Sequence, residues 1–282
     1  MADSKIHRRG VTKVTDSQIG PGMTPSHRVR PLVHDGDFGH HDPFLFLMED
    51  WFDPNVFDDH PHRGMETVTF VLEGELDHRE KGRSPSRFVT GDAMWMTAGR
   101  GVIHNEAPAD EKTVHTLQLW VNLPAAQKLT EPRYQVLHRD AMPVRREDGA
   151  EVRLFSGSSG ALRSETLNHV PVTMVEFVLE PHARVTQELP ASYNGFLYVI
   201  SGSGFFGVER KPAKATQIVW MELPGGAGSS EFTVQAGEEP LRALLWAGEP
   251  LHESVIAYGP FVMNTKDQIR EAFADYQAGK FG

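Results

Sequence analysis

Two pairs of ligand-type side chains constrain this chain more than any other feature. His60 and His62 stand one residue apart, as do His104 and Glu106, and an apolar run lies between the pairs. Successive side chains of a β-strand point to opposite faces, so residues i and i+2 share a face. Each pair can therefore aim at one point. On neighbouring strands of a closed sheet, the two pairs present three imidazoles and one carboxylate to a single cation inside a barrel. Glu66 shares the parity of His60 and His62 and is a fallback carboxylate. Gly64 lies between them as a possible bulge that breaks this parity, so Glu106 is the preferred anionic ligand. Metal-bound imidazoles usually give their second N–H to an acceptor, and Gln118 and Asp59 are candidates for that outer role. The remaining histidines, including His27, His78 and His115, have no same-face partner in a turn-bounded strand and read as surface or core residues.

The chain contains no cysteine, which excludes disulfides, thiolate nucleophiles and zinc–cysteine sites. Any bound metal must rest on nitrogen and oxygen donors, as suits iron, manganese, nickel, copper or catalytic zinc. Lys and Arg number 28 against 38 Asp and Glu, a balance of −10. Such a surface argues against direct nucleic-acid binding and leaves a protein partner open. The opening residues Met1 to Gly10 lack the apolar stretch of a secretory signal, and no run reaches membrane-spanning length. A cytoplasmic protein with no membrane partner is the expectation.

At 282 residues, with 26 Gly and 19 Pro punctuating short apolar runs, the chain reads as an all-β protein of two domains. Pro43–Phe52, Glu66–Leu76, Ala93–Thr97 and His115–Pro124 are strand-like in the first half. Val152–Ser156, Val172–Leu179, Gly195–Ile200, Thr216–Glu222 and Leu241–Ala247 repeat that texture in the second. The polar stretch Pro124–Pro143 reads as the connection leaving the first domain, which gives domains of 1–143 and 144–282. Thr265–Ala278 is the best helix candidate, since Ile269, Ala272, Phe273 and Tyr276 recur at helical spacing.

The segments His60–Gly74 (HPHRGMETVTFVLEG) and Gly91–Glu106 (GDAMWMTAGRGVIHNE) resemble the pirin family of the cupin superfamily. Gln118–Pro124 and Gly259–Thr265 match as well. The resemblance implies two cupin barrels (double-stranded β-helix, jelly-roll) in tandem with a short C-terminal helix. It implies one mononuclear metal, usually iron as Fe(II), in the N-terminal barrel, on His60, His62, His104 and Glu106. It also implies a metal-free C-terminal barrel, where Pro181–Pro190 offers only His182. Several pirins are quercetin 2,3-dioxygenases, so the resemblance implies a small aromatic, flavonol-like substrate, with Glu106 as the catalytic group that takes its hydroxyl proton. Others act as regulators, so an iron-binding redox sensor with a protein partner is the alternative.

Overall fold

A computed structural model describes residues 6–34, 36–80 and 84–281. The chain forms two compact units, one of Gln18–Ala141 with Leu251–Gly282, the other of Met1–Ser17 with Met142–Pro250. Strands dominate both, as the turn-punctuated sequence predicts.

In the first unit a seven-stranded sheet runs in the order Arg133–Leu137, Ala93–Thr97, Met65–Glu73, Val114–Asn122, Phe44–Phe52, His27–Val33, Gly20–Pro21. A four-stranded sheet has the order His60–His62, Val102–Pro108, Glu75–Glu80, Ser86–Val89. All these pairings are antiparallel. This is a jelly-roll barrel. The predicted strands fall within a few residues of these limits. One expectation is corrected: Pro124–Pro143 is no simple connection, because Arg133–Leu137 pairs along Ala93–Thr97 and extends the sheet.

The second unit repeats the architecture, with a seven-stranded sheet that includes Val172–Leu179, Leu241–Gly248, Asn194–Ser201 and Gln217–Met221. Its interior is filled by side chains such as Val175, Phe177, Leu197, Phe232 and Leu245, all fully buried. Each such burial contributes roughly 1.5–3 kcal/mol. His182, the residue of this half nearest to a ligand motif, is exposed and sits 3.6 Å from the exposed Glu238 carboxylate.

The ends of the chain depart from a cut at residue 143. Val11–Asp16 pairs with Gln217–Met221 and so belongs with the C-terminal barrel. The terminal helix, Lys266–Gln277, belongs with the N-terminal one. It opens on a capping box in which Thr265 Oγ1 accepts from Gln268 N–H and the Gln268 side chain accepts from Thr265 N–H. It buries Ile269 and Ala272 against Phe261, Met263 and Phe281. Among the described residues, no helix is long and apolar enough to cross a membrane.

Candidate metal centre

The inward alternation of the two sheets builds the site. His104 lies directly opposite His60 across the Val102–Pro108 and His60–His62 strands, and Val102 opposes His62. The three imidazoles converge, with ring centroids 4.3 Å apart for His60–His104 and 5.0 Å for each of the other two pairs. One nitrogen from each ring lies within 4.8 Å of the others. Metal–nitrogen bonds of about 2.1 Å place neighbouring donors about 3–3.5 Å apart, so small ring movements close the set.

The hydrogen bonds on the far side of each ring say which nitrogen is free. His60 Nδ1–H donates to the Asp58 carbonyl at 2.9 Å, and His62 Nδ1–H to the Pro260 carbonyl at 3.4 Å. His104 Nδ1 pairs with His78 Nε2 at 3.0 Å. His62 Nε2 and His104 Nε2 are buried and have no hydrogen-bond partner among the described residues. A buried, unpaired imidazole nitrogen is costly unless something else satisfies it, and a cation does. Burial holds all three rings below the ordinary histidine range: His62 is pushed down to about 3, His104 well below its usual value, and His60 in the same direction. The rings are thus neutral near pH 7, the form that binds metal. The donor set therefore fits a divalent metal ion.

Glu106 lies two residues beyond His104 on the same strand face and lines the same cavity as His60 and His62. Its carboxylate falls outside the close group formed by the three rings. Oε1 accepts from Thr69 Oγ1–H and Oε2 from Gln118 Nε2–H, both at 2.8 Å. Trp120 Nε1–H in turn donates to Gln118 Oε1 at 3.1 Å, which fixes the orientation of the amide. Burial raises the Glu106 carboxyl to about 7, opposed by its two hydrogen bonds.

The other sequence candidates separate. Gln118 is an outer partner, of Glu106 rather than of an imidazole. Asp59 lines the cavity, but the acceptor for His60 is the neighbouring Asp58 carbonyl. Glu66 is buried away from the cluster, where its Oε1 accepts from Thr97 Oγ1–H at 2.6 Å. The break is at Gly64, whose φ of +82° separates the His60–His62 strand from Met65–Glu73 and sends the two into different sheets. His78 is the residue that sequence reasoning missed. It lies opposite Glu106 in register, touches His104, and stacks on Tyr134 with centroids 4.5 Å apart and planes at 10°.

His60, His62 and Glu106 line a cavity of about 700 Å³. Phe46, Met48, Phe52, Phe57, Leu76 and Trp120 make most of its wall apolar.

Two jelly-roll barrels in one chain, one with three convergent imidazoles beside an apolar cavity, define a bicupin with a metal-type centre. Family models match both halves, Pirin over residues 27–121 and Pirin C-terminal cupin domain over 174–282. The chain belongs to the pirin family. It is 41% identical to a pirin-like protein of Solanum lycopersicum, over 86% of this chain and 82% of the relative. A crystal structure of a Geobacillus kaustophilus protein superposes with a TM-score of 0.86 at 49% identity, covering 89% of this chain and all of that one. A quercetin 2,3-dioxygenase from Acinetobacter baumannii also gives 0.86, at 29% identity over 98% of this chain and 99% of that one.

Proposed function

We propose that this protein is a metal-dependent dioxygenase, with Fe(II) as its metal, that opens the ring of flavonols such as quercetin. The observation that carries the reading is the cluster of three imidazoles, with the Nε2 atoms of His62 and His104 buried and unpaired, beside an apolar cavity that His60 and His62 line. A cavity of about 700 Å³ suits a ligand of flavonol size, and ligand sites of that class run about 300–1,000 Å³. Likeness to a quercetin 2,3-dioxygenase along nearly the whole chain supports the same choice.

His60, His62 and His104 would hold the metal through Nε2, with Glu106 as the fourth, anionic ligand. Histidine–carboxylate sets with open positions supply oxygen activation and charge stabilisation for a bound phenolate. The chain's own residues do the rest. The aromatic and methionine wall takes the flat rings of the substrate and excludes water. Glu106, on the same cavity wall, is the carboxylate placed to take the proton of the flavonol hydroxyl. Thr69 and Gln118 hold its carboxylate in place while it does so.

The test is aerobic turnover of quercetin by iron-loaded protein beside His62→Ala and Glu106→Gln. Turnover by the parent, with a loss of at least about 100-fold in both variants, is the expected result. No turnover by the parent, or equal rates in all three, contradicts it.

A further inference from the structure

Away from the three rings the same cavity holds a second polar feature, the pair His27 and Asp50. Both are buried, and both line the cavity. His27 Nε2 lies 2.9 Å from Asp50 Oδ1. The tautomer is fixed by the chain itself, because Met23 N–H donates to His27 Nδ1 at 3.1 Å. That nitrogen carries no proton, so Nε2–H is the donor and Asp50 the acceptor. The ring is wedged edge-on against Phe57, with centroids 5.2 Å apart. His27 therefore has no free atom for a ligand, whereas Asp50 Oδ2 has no protein partner among the described residues. Asp50 lines the apolar cavity, so this second carboxylate oxygen is open to a donor that a ligand brings.

The register places this oxygen relative to the metal end. Val29, Asp50 and Thr116 form one lateral row of the sheet, and Met48, Gln118 and Thr69 form the next. The second row carries the two groups that hold Glu106. Asp50 thus stands one two-residue step, roughly 7 Å along the strand, from the row under Glu106. Between and around them the wall is Phe46, Met48, Phe52 and Trp120.

We propose that Asp50 is a specificity-determining residue, whose Oδ2 accepts a hydrogen bond from a hydroxyl of a polyhydroxylated aromatic ligand seated with its other end at His60, His62 and His104. His27 is the positioning residue that aims the carboxylate. The inference rests on the aromatic-substrate reading above and narrows it to substrates with a hydroxyl remote from the metal-bound one.

Equilibrium binding to Ni(II)-loaded protein under nitrogen tests this without turnover. Quercetin is compared with 3-hydroxyflavone, which keeps the 3-hydroxyl and lacks all the others. The parent protein binds quercetin about 10- to 100-fold tighter, the range for a hydrogen bond to a charged acceptor. In Asp50→Asn the amide oxygen takes the His27 proton and turns its NH₂ to the ligand, and the preference for quercetin collapses. Nickel content and 3-hydroxyflavone affinity report whether the variant is folded, and both stay at the parent's level. If both flavonols bind but the parent shows no preference, or Asp50→Asn keeps it, the inference is overturned and the substrate reading survives. If neither flavonol binds nickel-loaded parent protein, both fall together.

Discussion

His62 shows most plainly what burial does to an imidazole. Its folded pKa of about 3 lies below the ordinary 6.5, so the unfolded chain binds the proton first as pH falls. The stability that His62 contributes to metal-free protein is therefore complete above about pH 6.5 and is lost as pH drops toward 3. The shift implies a loss of about 2 kcal/mol between pH 7 and pH 5 from this ring alone. Urea unfolding at the two pH values, parent against His62→Gln, should show a steeper fall for the parent, and parallel slopes would contradict it. His78 meets the His104 ring on its Nδ1 side, at 3.0 Å. His78→Phe keeps the ring on Tyr134 but removes the bond to His104, so metal affinity should fall about 10- to 100-fold in a chelator competition. Unchanged affinity would mean that the contact does nothing for the centre.

The turns and strands around the three imidazoles are held by residues outside the cluster. Gly64 sits at φ +82°, and a Cβ there would stand 2.0 Å from the Val262 carbonyl. Lys128 Nζ donates to the carbonyls of Gly64 and Val262 and to the Asn122 side chain, fastening this turn from inside. Gly64→Ala combines backbone strain with a clash against main chain and should cost at least about 2 kcal/mol. A Tm within a degree of the parent's would refute that. Arg63 has a comparable role: Nε–H donates to the Arg100 carbonyl at 2.6 Å, and Nη1–H to Asp275 Oδ2 at 2.9 Å on the terminal helix. The Arg of the His-Pro-His-Arg-Gly segment thus ties the ligand strand to the Gly99–Gly101 turn and to the helix. The i, i+2 parity of the ligand pairs could be read from the sequence, because it depends only on strand geometry. The Asp58 and Pro260 carbonyls could not, since backbone acceptors leave no residue-type mark. His78 was hidden because its partner lies 26 residues away, in the pairing of strands rather than in any local pattern. Arg133–Leu137 was missed as a strand because its core-facing Tyr134 and Val136 alternate with Arg133 and Gln135 inside a polar, proline-containing stretch.

The two barrels themselves were legible as a repeated texture of short apolar strands and glycine turns. The exchange of chain ends was not, because nothing local in Val11–Asp16 tells of a partner two hundred residues on. The physical contrast between the barrels lies in what fills them: close-packed aliphatic and aromatic side chains in one, a cavity with inward imidazoles in the other. Binding of a metal to the folded state alone stabilises it by mass action, about 2.7 kcal/mol at a hundredfold excess over Kd. Metal added to stripped protein should raise Tm by several degrees, and His62→Ala should abolish the rise. The most direct measurement is elemental analysis of protein stripped, reloaded anaerobically with Fe(II) and desalted, with His60→Ala, His62→Ala and His104→Ala beside it. One iron per chain in the parent and a small fraction of that in each variant is the expected result. An iron-free parent, or variants that retain a full equivalent, would show that these three rings do not form a metal centre.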